Sequence, residues 1–175
     1  MKIDKRAGID YHQIEKKKGA LHMKITDYSA LAAQAEGLIE GVGHPIANLS
    51  NLSALIFQSM DALNWAGFYL MEDGKLVLGP FQGRVACIEI PLGRGVCGTA
   101  ASENKTQLVP DVHAFPGHIA CDGASNSEIV IPLHRRGEVV GVLDIDSPLL
   151  SRFSEADKAG LEALAAVIEK HVFAD

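Results

Sequence analysis

Cysteine is scarce in this chain: three in 175 residues, at positions 87, 97 and 121, with no Cys-x-x-Cys pair among them. That excludes a disulfide-stapled secreted scaffold and leaves no structural zinc motif. Long apolar runs are absent too, as is a secretory leader pattern, so the protein is expected to be cytoplasmic, with no membrane partner and with reduced thiols unless chemistry oxidises them. Basic residues are in the minority, 16 Lys and Arg against 22 Asp and Glu for a net charge of −6, which argues against nucleic acid as a partner. With 47% apolar and 22% charged residues the composition is that of an ordinary soluble protein, and the length suits one domain.

The first 22 residues stand apart. They carry six Lys and Arg and three Asp and Glu, lack sustained apolar periodicity, and end in Leu21-His22-Met23, a junction that reads as a vector remnant before a native start at Met23. Residues 1–22 are therefore taken as an expression tag or a disordered arm, and residues 23–175 as a single domain.

Within that domain, apolar residues at Tyr28, Leu31, Ala32, Ala35, Leu38, Ile39 and Val42 have helical spacing, and Ile46, Leu49, Leu52, Leu55, Ile56 and Met60 mark a second helix with Pro45 in its first turn. Strands follow. Asn64–Met71 and Leu76–Phe81 flank the turn signal Asp73-Gly74, Ala86–Ile90 reads as a short third strand, and Val96–Glu103 as a short helix. Gln107–Val109 is a brief strand and Pro110–Asn126 a long loop. Ile129–His134 and Val139–Ile145 pair across Arg136-Gly137, and a last helix starts at the capping-box-like Ser154 and Asp157. Short turns force antiparallel neighbours, so the expected class is α+β: a central, mostly antiparallel sheet of about six strands flanked by helices.

The 17-residue loop is long for so compact a domain, and loops of that length usually carry function. Cys121 lies in its Gly/Ala/Ser/Asn stretch, which builds no core, and so is a candidate functional thiol. His118, three residues earlier, either promotes its thiolate or is a solvated loop residue. Asp144 and Asp146 end their strand on one face by period-two alternation. They are either wet strand-end residues or a pair poised for a cation or a shared proton, with no clear oxygen set for a hard metal. Trp65 and Tyr69 share a face with Gly67 between them, either as core or as the walls of a ligand gap. Cys87, placed in a strand, reads as a small buried hydrophobe. Cys97 begins a helix after Gly93-Arg94-Gly95, where the dipole favours thiolate. The same glycines are a weak anion signal without a P-loop Lys-Ser/Thr.

Several longer stretches go further: Asn64-Trp65-Ala66-Gly67-Phe68-Tyr69, Leu78-Gly79-Pro80-Phe81-Gln82-Gly83, Gly93 through Ala100, Gly117-His118-Ile119-Ala120-Cys121-Asp122, and Ser125-Asn126-Ser127-Glu128-Ile129-Val130. From about Asp27 to the C-terminus the chain resembles the free methionine-(R)-sulfoxide reductases, small stand-alone GAF-domain enzymes. The resemblance implies a GAF fold for residues 23–175. It also implies Cys121 as nucleophile, Cys87 as the resolving cysteine, which replaces the core reading of that residue, and Cys97 as a secondary or alternative thiol. Trp65, Tyr69, Glu128, Asp144 and Asp146 would form the pocket, with Glu128 and Asp146 also serving the acid chemistry. The implied substrate is free L-methionine (R)-sulfoxide and the implied reductant is thioredoxin, with no metal or organic cofactor and a homodimeric assembly. The competing expectation is a GAF sensor that binds a small ligand or reads redox state without catalysis.

Overall fold

Alternation along one strand organises the molecule. In β1 (Trp65–Glu72), Trp65, Gly67 and Tyr69 face one side of the sheet, and Ala66 and Phe68 face the other. The computed structural model describes residues 26–119 and 123–174, so the expected tag at 1–22 and the loop thiol Cys121 lie outside the described residues.

The remaining strands are β2 (Lys75–Gly83), β3 (Glu89–Pro91), β4 (Gln107–Val109), β5 (Ser127–Arg135) and β6 (Glu138–Ser147). They form one six-stranded sheet in the order β3-β2-β1-β6-β5-β4, with every neighbouring pair antiparallel. Both predicted hairpins are present. Asp73 and Gly74 have φ of +48° and +77°, and Arg136 and Gly137 have +53° and +81°. Two consecutive left-handed residues make the turn whose twist matches antiparallel strands.

Helices α1 (Tyr28–Ile39), α2 (Pro45–Ser59) and α4 (Glu155–Val172) cover one face. Their apolar stripes, including Leu31, Leu49, Ile56, Leu161 and Ile168, bury Phe68, Ile129, Leu143 and Ile145 of the sheet. Pro45 takes the first helical position of α2 as expected, and the Ser154–Asp157 capping box closes both ways at the start of α4. The other face is covered differently. Among the described residues, only the short helix α3 (Gly95–Glu103) and irregular chain lie over Trp65, Tyr69, Val130 and Val142. That thinner cover is where a cavity forms.

Two segments depart from expectation. The third strand is shorter than Ala86–Ile90 and starts at Glu89, leaving Cys87 in a half-buried loop. The β-branched pattern there misleads because Val85 and Ile88 are 88% and 74% exposed and bury no face. The segment is held instead by single bonds, from Leu78 N to the Ile88 carbonyl (2.9 Å) and from the Tyr69 hydroxyl to the Cys87 carbonyl (3.0 Å). The long loop is also less irregular than expected. A 3₁₀ turn, Val112–Ala114, buries Val112, and the Asp111 side chain accepts from His113 N at 2.9 Å.

Candidate active site

Cross-strand register assembles residues that the sequence scatters. Glu128 of β5 sits opposite Asp146 of β6, and Asp146 sits opposite Trp65 of β1. One step along, Asp144 sits between Val130 and Gly67. Since opposed residues share a face, two carboxyls from β6 and one from β5 converge beneath α3, which lays Cys97 above them. The cavity between them is small in this form, about 30 Å³, enough for roughly two waters. Its walls include Cys97, Glu128, Asp144, Asp146, His118 and Ser125.

The charges in this cavity are buried together. Glu128 is 7% and Asp144 5% exposed, which rules out the wet strand-end reading for Asp144; Asp146 is half-buried. Burial, with the neighbouring charges of Asp144 and Asp146, pushes the Glu128 carboxyl well above its usual range. Burial likewise pushes Asp144 up to about 6, opposed by hydrogen bonds from Cys97 and Glu128. Asp144 Oδ1 has no hydrogen-bond partner among the described residues. Such a cluster favours holding protons or binding a cation.

Cys97 is a free, buried thiol whose Sγ donates to Glu128 Oε1 at 3.8 Å. The helix N-terminus suggested thiolate, yet burial and the Asp144 and Glu128 charges hold the thiol proton well above the normal range. A surface-scale dipole contribution of about 0.3–1 kcal/mol does not offset that environment. In the glycine stretch Gly93 N donates to the Gly98 carbonyl at 2.8 Å, so that N–H is turned into the loop itself. Cys87, by contrast, is disulfide-bonded, and its partner lies outside the described residues.

Trp65 and Tyr69 are buried beside the cavity and are not among its lining residues as it stands. Their rings stack at 5.9 Å, and Trp65 stacks on Phe81 at 5.2 Å while its Nε1 donates to the Arg84 carbonyl. Burial, then the acidic surroundings, keep the Tyr69 phenol protonated. Of the two readings of Gly67, the open gap is not present: a Cβ there would lie 2.7 Å from Phe81 Cα and 2.8 Å from the Pro80 carbonyl oxygen. Backbone atoms cannot rotate away. Gly67→Ala is thus expected to cost about 1–3 kcal/mol, read as a lower urea midpoint with unchanged slope.

His118 is half-buried in the cavity wall; burial, then the edge-on His113 ring 6.3 Å away, favours its neutral form. Ser125, not singled out from sequence, is buried in the wall and accepts from Asn64 Nδ2 at 2.9 Å. Its neighbours pin the loop. Asn126 Nδ2 donates to the Pro148 carbonyl at 2.7 Å, and Ser127 Oγ to the Leu149 carbonyl at 2.7 Å. The only signal in sequence was the polar run itself, which does not say what it bonds.

A GAF-domain family model matches residues 47–171. The chain is 53% identical over 143 residues to the free methionine-R-sulfoxide reductase of Escherichia coli, covering 82% of this chain and 87% of that one. The structure of fRMsr of Staphylococcus aureus in complex with substrate superposes with a TM-score of 0.82 at 53% identity, covering 86% of this chain and 98% of that one. The chain belongs to the free methionine-R-sulfoxide reductase family. The family member of Neisseria meningitidis, solved in complex with its substrate, matches at 43% identity and a TM-score of 0.81, over 87% of this chain and 95% of that one. Membership in this GAF-domain family accounts for the six-stranded antiparallel sheet and for the stretches quoted above. No helix among the described residues is long and apolar enough to cross a membrane.

Proposed function

We propose that this chain reduces free L-methionine (R)-sulfoxide to L-methionine. The observation that carries the reading is the meeting of buried Glu128 and Asp144 with half-buried Asp146 in one cavity, within a fold that overlays substrate-bound members of the family. In this reading the thiolate of Cys121 attacks the sulfoxide sulfur. Glu128, whose carboxyl is held well above its usual range by burial and by the neighbouring Asp144 and Asp146, delivers a proton to the departing oxygen and shares it with Asp146. Asp144, with its unpartnered Oδ1, receives the substrate ammonium. Trp65 bounds the S-methyl group once substrate is seated, and Tyr69 helps close the pocket. His118, three residues before Cys121 and part of the cavity wall, takes the thiol proton in this reading.

Methionine departs and Cys121 is left as a sulfenic acid. It condenses with the Cys87 thiol, releasing water and forming a disulfide that thioredoxin reduces. The disulfide-bonded state of Cys87 and the free state of Cys97 support that pairing over one through Cys97. A thiol as buried and as strongly protonated as Cys97 fits a secondary role. The working assembly is a homodimer in the cytoplasm; Leu38, Val42 and Ile46, exposed where α1 passes into α2, form the face offered for pairing.

The deciding assay follows NADPH oxidation with thioredoxin and thioredoxin reductase on each epimer of free methionine sulfoxide. Consumption with the R epimer alone is the expected result, and none with either epimer would leave the sensor reading in its place. Cys87→Ser is expected to release about one methionine per chain and then recycle poorly. Full thioredoxin-dependent cycling in that variant would move the resolving role to Cys97.

A further inference from the structure

The cavity holds one group that a sulfoxide and its ammonium do not call for. An ammonium is satisfied by carboxylates, and a protonated carboxyl serves the oxide. The Cys97 sulfur adds little to either task, yet it sits in the same cluster: one ligand atom each from Cys97, Glu128 and Asp144 lie within 4.8 Å of one another, and all three residues are buried. The Sγ to Oε1 separation is 3.8 Å. Tetrahedral zinc with one sulfur and one oxygen ligand sets those atoms about 3.6 Å apart. Asp144 Oδ1, buried and without a hydrogen-bond partner among the described residues, belongs to a side chain that lines the same space. Asp146, opposite Glu128 and half-buried, lines the same cavity.

We infer that Cys97, Glu128 and Asp144 form a binding site for a thiophilic divalent cation such as Zn²⁺, which occupies the cavity in place of substrate. Binding releases the Cys97 thiol proton and the Glu128 carboxyl proton to solvent and forms one zinc–sulfur and two zinc–oxygen bonds, leaving the site one negative charge in excess. A hard cation such as Mg²⁺ is disfavoured, because a thiolate is a poor ligand for it and two carboxylates are too few. The ion is therefore an inhibitor and not a cofactor, since it covers the carboxyl that must hold the catalytic proton. The cation site stands on the side-chain geometry alone, and only its inhibitory consequence rests on the proposed activity.

Co²⁺ is the probe, because its bond to a thiolate gives a near-ultraviolet charge-transfer band and its tetrahedral complexes absorb strongly in the visible. Full-length protein titrated with Co²⁺ is expected to show both features at one ion per chain, and Zn²⁺ should bleach them. The double variant Cys87→Ser/Cys121→Ser should retain the band, whereas Cys97→Ser should lose it with folding checked by circular dichroism. Glu128→Gln, which leaves all three sulfurs in place, should weaken Co²⁺ binding at least tenfold. Absence of a charge-transfer band in the unmutated protein, a band that survives Cys97→Ser, or one lost in the double variant would each overturn the site. In the coupled assay, Zn²⁺ should raise the apparent KM for the sulfoxide. Inhibition that excess substrate fails to relieve would overturn the placement of the ion in the cavity. A protein that binds Co²⁺ through Cys97 but turns over no sulfoxide would keep the cation site and sink the enzymatic reading.

Discussion

Replacing Cys121 with serine is expected to abolish turnover of free methionine (R)-sulfoxide, with no methionine formed even in a single cycle. A serine hydroxyl is a far weaker nucleophile toward sulfoxide sulfur, and it has no stable counterpart to the sulfenic acid that carries the oxygen away. The other two cysteines do not substitute. Cys97 is buried with its proton held by the acidic cluster, and Cys87 lies in a loop whose carbonyl is tied to Tyr69. Quenched-flow measurement of methionine per chain is the readout. Any single-turnover burst from Cys121→Ser would move the nucleophile elsewhere and end the proposed mechanism.

Glu128→Gln is expected to lower kcat by about a hundredfold or more, the usual size of a general-acid contribution. The amide keeps the volume and can still hydrogen-bond the sulfoxide oxygen, but it has no proton to deliver. Asp144→Asn should instead act on KM, because it removes the charge facing the ammonium. The pH dependence separates the two roles. With Glu128 held above the ordinary carboxylate range by burial and by Asp144 and Asp146, the unmutated enzyme is expected to lose activity on the alkaline side as that proton leaves. Glu128→Gln has no such proton to lose, so this limb should vanish from its profile.

A stability measurement checks the same assignment without activity. The folded pKa of Glu128 is raised, so its contribution is fully present below the unfolded carboxylate pKa and is lost as pH rises through the folded value. Asp144, raised to about 6, behaves in the same direction near that pH. Thermal midpoints of Glu128→Gln should therefore gain on the unmutated protein as pH increases from the acid range. A constant difference across pH would mean that Glu128 is not buried in an acidic cluster.

The element order was legible because most of it is written in local signals. Asp73-Gly74 and Arg136-Gly137 dictate tight turns by backbone sterics, Ser154 with Asp157 caps a helix, and the spacing of Leu31, Ala35 and Ile39 presents one face to a core. Position 87 failed for the opposite reason. Alternating β-branched residues make a strand only where there is a face to bury, and Val85 and Ile88 have none. The resemblance to a known family, not the spacing, singled out Glu128 as an acid and Cys87 as a redox partner of Cys121.

By itself the sequence determined the two hairpins, the three covering helices and the scarcity of thiols, because each depends on backbone preference or composition within a few residues. Tertiary structure alone decided that Glu128, Asp144, Asp146 and Cys97 share a cavity, that a helix-start cysteine keeps its proton, and that Phe81 fills the space over Gly67. Those outcomes are set by cross-strand register and by desolvation. Both depend on what the rest of the chain places opposite a residue, which no local window contains.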